Sequence, residues 1–132
     1  MTEADNTKII QDCYAAFGRG DVQAILDRVD DNVSWNAWYG AGKQVPFGGT
    51  RHGKAAVGDF FKQIAQHINF STFEPRQFVA TGDKVVALGH YSGKTSAGKN
   101  YDSDFAMVFT LRNGKVTHFQ EFNDSAAINA AF

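Results

Sequence analysis

The sequence holds one cysteine and two prolines in 132 residues. Cys13 alone excludes an internal disulfide and a cysteine-built zinc site, and it fits a reducing compartment. No stretch approaches the ~20 apolar residues of a membrane span, and the opening MTEADNTK lacks the apolar run of a secretory signal. The expectation is a cytoplasmic chain with no membrane partner. A surplus of one charge is missing too. Thirteen Lys/Arg against 14 Asp/Glu leave a formal charge of −1, which argues against a nucleic-acid partner held by a basic surface. No HxH, HxxxH or HExxH spacing occurs, and no GxxxxGK[ST] or GxGxxG follows a strand. Neither a metal nor a cofactor is therefore expected.

Apolar side chains are plentiful: 43% of the residues are hydrophobic, and 12 are Phe. That suffices for one core in one domain spanning residues 1–132. From about Thr7, the positions Ile9, Ile10, Cys13, Ala16 and Phe17 recur at helical spacing, and Gly18 and Gly20 end the run. Asp21 suits the cap of a short second helix carrying Val22, Ile25, Leu26 and Val29. A third helix, Lys54 to His67, carries the stripe Val57, Phe60, Phe61, Ile64 and Ile68. Between the second and third lie a strand, Val33–Tyr39, and a glycine-rich loop over 40–53, a candidate lid.

The second half changes period. Strands are expected over Phe70–Ala80, Lys84–Ser92, Tyr101–Arg112 and Lys115–Phe122, separated by turn residues. In the last one Val116, Phe119 and Phe122 are three apart, so that strand is either buried on both faces or bulged. Helices first and hairpin strands afterwards predict an α+β fold: three N-terminal helices packed in a strongly bent, mostly antiparallel sheet. Such a sheet would close around an apolar hollow.

Several side chains then compete for a role. Asp124 shares a strand face with Phe122, where partial desolvation would raise its pKa; it equally suits the cap of a short terminal helix, Ser125 onward. His90 lies on the face of Val86 and Leu88, and His52 sits in the loop before the third helix. Trp35 and Tyr39 share a face of the first strand and Trp38 takes the other; the pair of indoles could stack on a flat ligand or simply fill the core. Asp102 and Asp104 suit a solvated strand face, and Cys13 an inert core thiol.

Tyr14-Ala-Ala-Phe-Gly-Arg-Gly-Asp21, Asp30-Asp-Asn-Val-Ser-Trp35, Pro46-Phe-Gly-Gly-Thr50, Gly53, Phe60-Phe61, Arg112-Asn-Gly-Lys-Val116 and Glu121-Phe-Asn-Asp124 occur in that order. Together they resemble the SnoaL-like branch of the nuclear-transport-factor-2-like superfamily. The resemblance implies a conical α+β barrel with a deep apolar pocket, a cystatin-like arrangement, paired as a homodimer through the outer sheet face. The three groups used by ketosteroid isomerases would fall on Asn36, Cys13 and Phe105 or Ala106, so none is in place. The polyketide cyclases fit better: their terminal aspartate matches Asp124 and their central-strand histidine matches His90, although their Gln-Leu-Gly ending is replaced by Ala126-Ala-Ile-Asn-Ala-Ala-Phe132.

The sequence thus predicts a cofactor-free pocket enzyme performing isomerisation or aldol-type cyclisation on a small hydrophobic carbonyl compound. Asp124, His90 and His52 are the expected catalytic groups, with Trp35, Trp38, Tyr14, Phe61 and Phe122 against the substrate. Alternatives are a non-catalytic binder of a small apolar ligand and a homodimeric interaction module.

Overall fold

The first helix begins earlier than its apolar stripe. In the computed structural model, which describes residues 1–38 and 45–132, α1 spans Glu3–Gly18. Its opening turn is polar and is fixed by a capping box: Asp5 N–H donates to Thr2 Oγ1 (3.1 Å) and Thr2 N–H donates to Asp5 Oδ2 (3.0 Å). Asp21 caps α2 (Val22–Leu26) as its residue type suggests, its Oδ1 accepting from Ala24 N–H. Helix α3 occupies Lys54–His67, as its stripe predicts.

Among the described residues six strands follow the expected α+β order: β1 (Val29–Ala37), β2 (Gly49–His52), β3 (Ile68–Thr81), β4 (Lys84–Thr95), β5 (Asn100–Arg112) and β6 (Lys115–Asn123). They form one sheet ordered β2-β1-β6-β5-β4-β3. All pairings are antiparallel except β1 with β6. The sheet is curved but unclosed, with β2 and β3 at its two edges, so it is an open trough rather than a complete barrel. A terminal helix α4 (Ser125–Ala130) follows β6.

Two departures come from the segment before α3. Part of the expected loop is β2, paired with β1 from Ala37↔Gly49 to Ser34↔His52, and Phe47 ahead of it is fully buried. Tyr39, Gly40 and Gly42, named for the aromatic cluster and the lid, lie outside the described residues.

The curvature has a local cause. Strand β3 carries an extra residue at Ser71 and again at Arg76, opposite Gly93 and Gly89 of β4. A bulge bends the strand that carries it. At both places the neighbouring backbone then comes too close for any side chain: a Cβ on Gly93 would lie 2.0 Å from the Asn69 carbonyl oxygen, and one on Gly89 2.2 Å from that of Glu74. Gly18, at the end of α1, has open space around it. Gly93→Ala should therefore lower the unfolding free energy by at least about 2 kcal/mol in urea titrations. Gly18→Ala should be neutral or stabilising by roughly 0.5 kcal/mol.

Candidate functional site

The concave face of the trough meets α1, α2 and α3 incompletely. A cavity of about 80 Å³ with a mouth open to solvent remains between them. Helix α1 contributes Cys13, Tyr14 and Phe17, and α3 contributes Phe60, Phe61 and Ile64. The sheet adds Trp35, Phe70, Phe73, Tyr91, Met107, Phe109, Phe119 and Glu121, with Trp38 just past β1. The walls are flat rings. Trp35 stacks on Phe119 with centroids 4.1 Å apart, and Trp38 on Tyr91 at 5.7 Å. Trp38 has φ 54°, a left-handed turn that breaks the strand's alternation and brings this indole to the same cavity as Trp35.

One carboxyl interrupts this lining. Glu121 is only 3% exposed, and Tyr91 Oη donates to its Oε2 at 2.5 Å. Asn123 Nδ2 in turn donates to Tyr91 Oη at 2.9 Å, which leaves the tyrosine proton directed at the carboxyl group. Burial drives the Glu121 pKa up from 4.5 to about 7, with the hydrogen bonds opposing the rise. A carboxyl group so placed exchanges a proton near neutral pH, the range useful for general acid–base chemistry. Burial raises the pKa of the Tyr14 and Tyr91 hydroxyls and the Glu121 charge raises each further, so both stay neutral donors. Tyr14 donates to Met107 Sδ. The Cys13 thiol is pushed up to about 11 by desolvation, so it stays protonated at neutral pH, and it faces the cavity as well as the core.

Of the residues expected against a substrate, Trp35, Trp38, Tyr14 and Phe61 line this cavity. Phe122 does not: it is 52% exposed on the outer face of the sheet. The expected catalytic groups also lie elsewhere. Asp124 is the N-cap of α4, its Oδ1 accepting from Ala127 N–H (3.2 Å) while its own N–H donates to Ser103 Oγ (2.9 Å). His90 is on the outer face, between Asp102 (Nε2 to Oδ1, 2.9 Å) and Asp104 (Nδ1 to Oδ1, 2.8 Å). Asp124, His90 and Phe122 do share a wide, open depression on the outer face, but the sheet separates it from the cavity. His52 is exposed on β2 opposite Ser34.

The reason is a bulge at Thr117. Leu111 pairs with Val116 but Thr110 with His118, so the face of β6 changes between Val116 and Phe119. Phe119 and Glu121 then point inward, while Phe122 points outward and Asp124 leaves the strand to cap a helix. The usable signal was the odd Val116–Phe119 spacing: placing the extra residue between them puts Glu121, two beyond Phe119, on the cavity side.

The raised pKa has a thermodynamic consequence. A carboxyl group with a higher pKa folded than unfolded binds more protons in the folded state, so its contribution is complete at low pH and lost as pH rises through 7. Glu121→Gln cannot ionise. Its unfolding free energy relative to the parent chain should rise by roughly 2–3 kcal/mol between pH 5 and pH 8, measured by chemical denaturation.

Comparison with solved structures gives the same architecture. A protein described as NTF2-like from Burkholderia xenovorans LB400 is 29% identical, with a TM-score of 0.85 over 99% of this chain and 98% of that one. An NTF2-like protein of unknown function from Burkholderia pseudomallei K96243 is 25% identical, with the same TM-score and coverage. TerC, co-crystallised with polyporic acid, is 28% identical, with a TM-score of 0.82 over 96% of this chain and 97% of that one. No curated protein is significantly similar. The family model described as SnoaL-like domain matches residues 10–119, and the chain belongs to that family.

Proposed function

We propose that the cavity binds a small hydrophobic carbonyl compound and that Glu121 moves a proton on it, as in an isomerisation or an aldol-type cyclisation. One observation carries this reading: among the described residues a single buried carboxyl group, its pKa raised by burial to about 7, sits in a cavity otherwise walled by rings, aliphatic chains and neutral donors. The likeness to TerC, co-crystallised with polyporic acid, supports a small organic ligand for a chain of this shape.

In the carboxylate form Glu121 takes a proton from the carbon next to the substrate carbonyl, and the electron pair of the broken C–H bond delocalises onto the carbonyl oxygen. The protonated Glu121 then returns the proton to a different carbon in an isomerisation. In a cyclisation the nucleophilic carbon forms a C–C bond to a second carbonyl of the same substrate, and the proton goes to the new alkoxide. Tyr91 supports the carboxylate by donating to it, and its own partner Asn123 holds that orientation. The aromatic walls keep water away, which holds the carboxylate poorly solvated and basic.

The reaction can be followed without knowing the natural substrate. Exchange of the α-hydrogens of 2-tetralone in deuterated water, read by proton NMR, should be accelerated by the chain and should rise with pH through about 7 as Glu121 ionises. Glu121→Gln should reduce the acceleration by about 10²-fold or more. Asp124→Asn, which keeps a capping side chain on the outer surface, should leave it unchanged. Acceleration that survives in Glu121→Gln defeats the proton-transfer role and leaves a binding cavity.

A further inference from the structure

Burial locates the mouth of the cavity. Of its lining residues, Cys13, Tyr14 and Phe17 of α1, Phe61 of α3, and Phe70 and Phe73 of β3 are half-buried, whereas the rest are buried. Among the described residues the opening is therefore bordered by α1, α3 and the β3 edge of the sheet. Four phenylalanine rings crowd that border. Phe17 meets Phe61 of the other helix with centroids 6.0 Å apart, and meets Phe70 at 5.8 Å and Phe73 at 4.9 Å.

The four rings are not held alike. Phe61 also packs on Phe60 and Trp35, Phe70 on Tyr91 and Tyr101, and Phe73 on Tyr91 and Phe105. Those partners are all buried. Phe17 has ring contacts, among the described residues, with the three other rim phenylalanines alone. It is the outermost ring, and moving it breaks no ring contact with the deep wall.

Its backbone is fixed while its side chain has somewhere to go. The end of α1 is tied by Gly20 N–H donating to the Phe17 carbonyl (3.1 Å) and Asp21 N–H donating to that of Ala16 (2.9 Å). A helix leaves an aromatic side chain two χ1 wells. In the observed one the ring bridges α1 to α3 and β3; the other carries it off these contacts. The next residue, Gly18, has open space around it. The ring can thus leave the rim without the helix unwinding.

Taking the cavity to be the site proposed above, we infer that Phe17 is the specificity-determining residue of its mouth: the ring sets the width of molecule that reaches Glu121. Narrow molecules pass beside it, and wider ones enter when it swings out. Three aromatic contacts favour the closed position, so the open one is a minor population.

The chain carries its own reporters of entry. Its two tryptophans, Trp35 and Trp38, both line the cavity and are 4% and 3% exposed, so a quencher dissolved in water reaches them through the mouth. The test titrates tryptophan fluorescence of the full chain with acrylamide, a narrow neutral quencher, and with succinimide, a wider cyclic one. Phe17→Ala should raise the succinimide quenching constant about tenfold, as for an open population of about 10% in the parent chain, and the acrylamide constant much less. Phe17→Leu, which keeps more of the apolar volume on the helix, should lie between. Phe78→Ala controls for loosened packing: Phe78 also packs on α1, through Tyr14 at 5.8 Å, but does not line the cavity. It should leave both constants as in the parent. An unchanged succinimide constant in Phe17→Ala, an equal rise for the two quenchers, or an equal rise in Phe78→Ala overturns the role of Phe17. Quenching involves no proton transfer, so such a result leaves the Glu121 reading to stand or fall on α-hydrogen exchange.

Discussion

The carboxyl group of Glu121 is held out of water by a wall of rings and tied to Tyr91, and much of the rest of the structure can be understood from that placement. An ionised carboxylate loses several kcal/mol of solvation on entering such a site, so here the proton stays on until pH approaches 7. The cost is tolerable because two neutral donors, Tyr91 and Asn123, are arranged in series towards it. Without them the carboxyl group would rise further and serve only as an acid. With a cation instead, it would fall and serve as neither acid nor base at neutral pH.

Holding that arrangement requires the sheet to bend and β6 to slip by one residue. Bulges at Ser71 and Arg76, each facing a glycine, curve the far edge of the sheet inward and bring Phe70 and Phe73 towards α1. The bulge at Thr117 selects which face of β6 looks into the trough. Both are irregularities of backbone count, and such irregularities give the pocket its walls and its single acid.

Much of the fold was legible from residue order, because helices and paired strands announce themselves through spacing. The helical stripe from Val57 to Ile64, the Asp21 cap and the alternation of Tyr101 to Leu111 all hold, whereas Ile68, expected on the same stripe, opens β3. Trp35, Trp38, Tyr14 and Phe61 reach the cavity because aromatic residues on inward faces have nowhere else to go. The start of α1 was misplaced because its first turn is stabilised by capping rather than by apolar contact. The site was harder for a different reason. Strict alternation from Phe122 made Asp124 the inward carboxyl group, whereas one extra residue at Thr117 exchanges the faces and gives that place to Glu121. A period of two makes every strand assignment vulnerable to a single inserted residue.

The two faces of the sheet carry the same residue types to opposite ends. On the outer face Asp102 and Asp104 bracket His90 in contact with solvent. On the inner face one glutamate, with no cationic side chain among the described residues lining its cavity, has its pKa raised by burial to about 7. Histidine and aspartate are the more familiar agents of proton transfer, and by residue type the outer cluster has the stronger claim. Environment reverses that ranking. A charged group in water interacts with a substrate through a high dielectric and gains little, whereas one carboxyl group in a dry aromatic hollow acts at close to full strength. For this chain, what a side chain can do depends less on its identity than on which side of a bulge it falls.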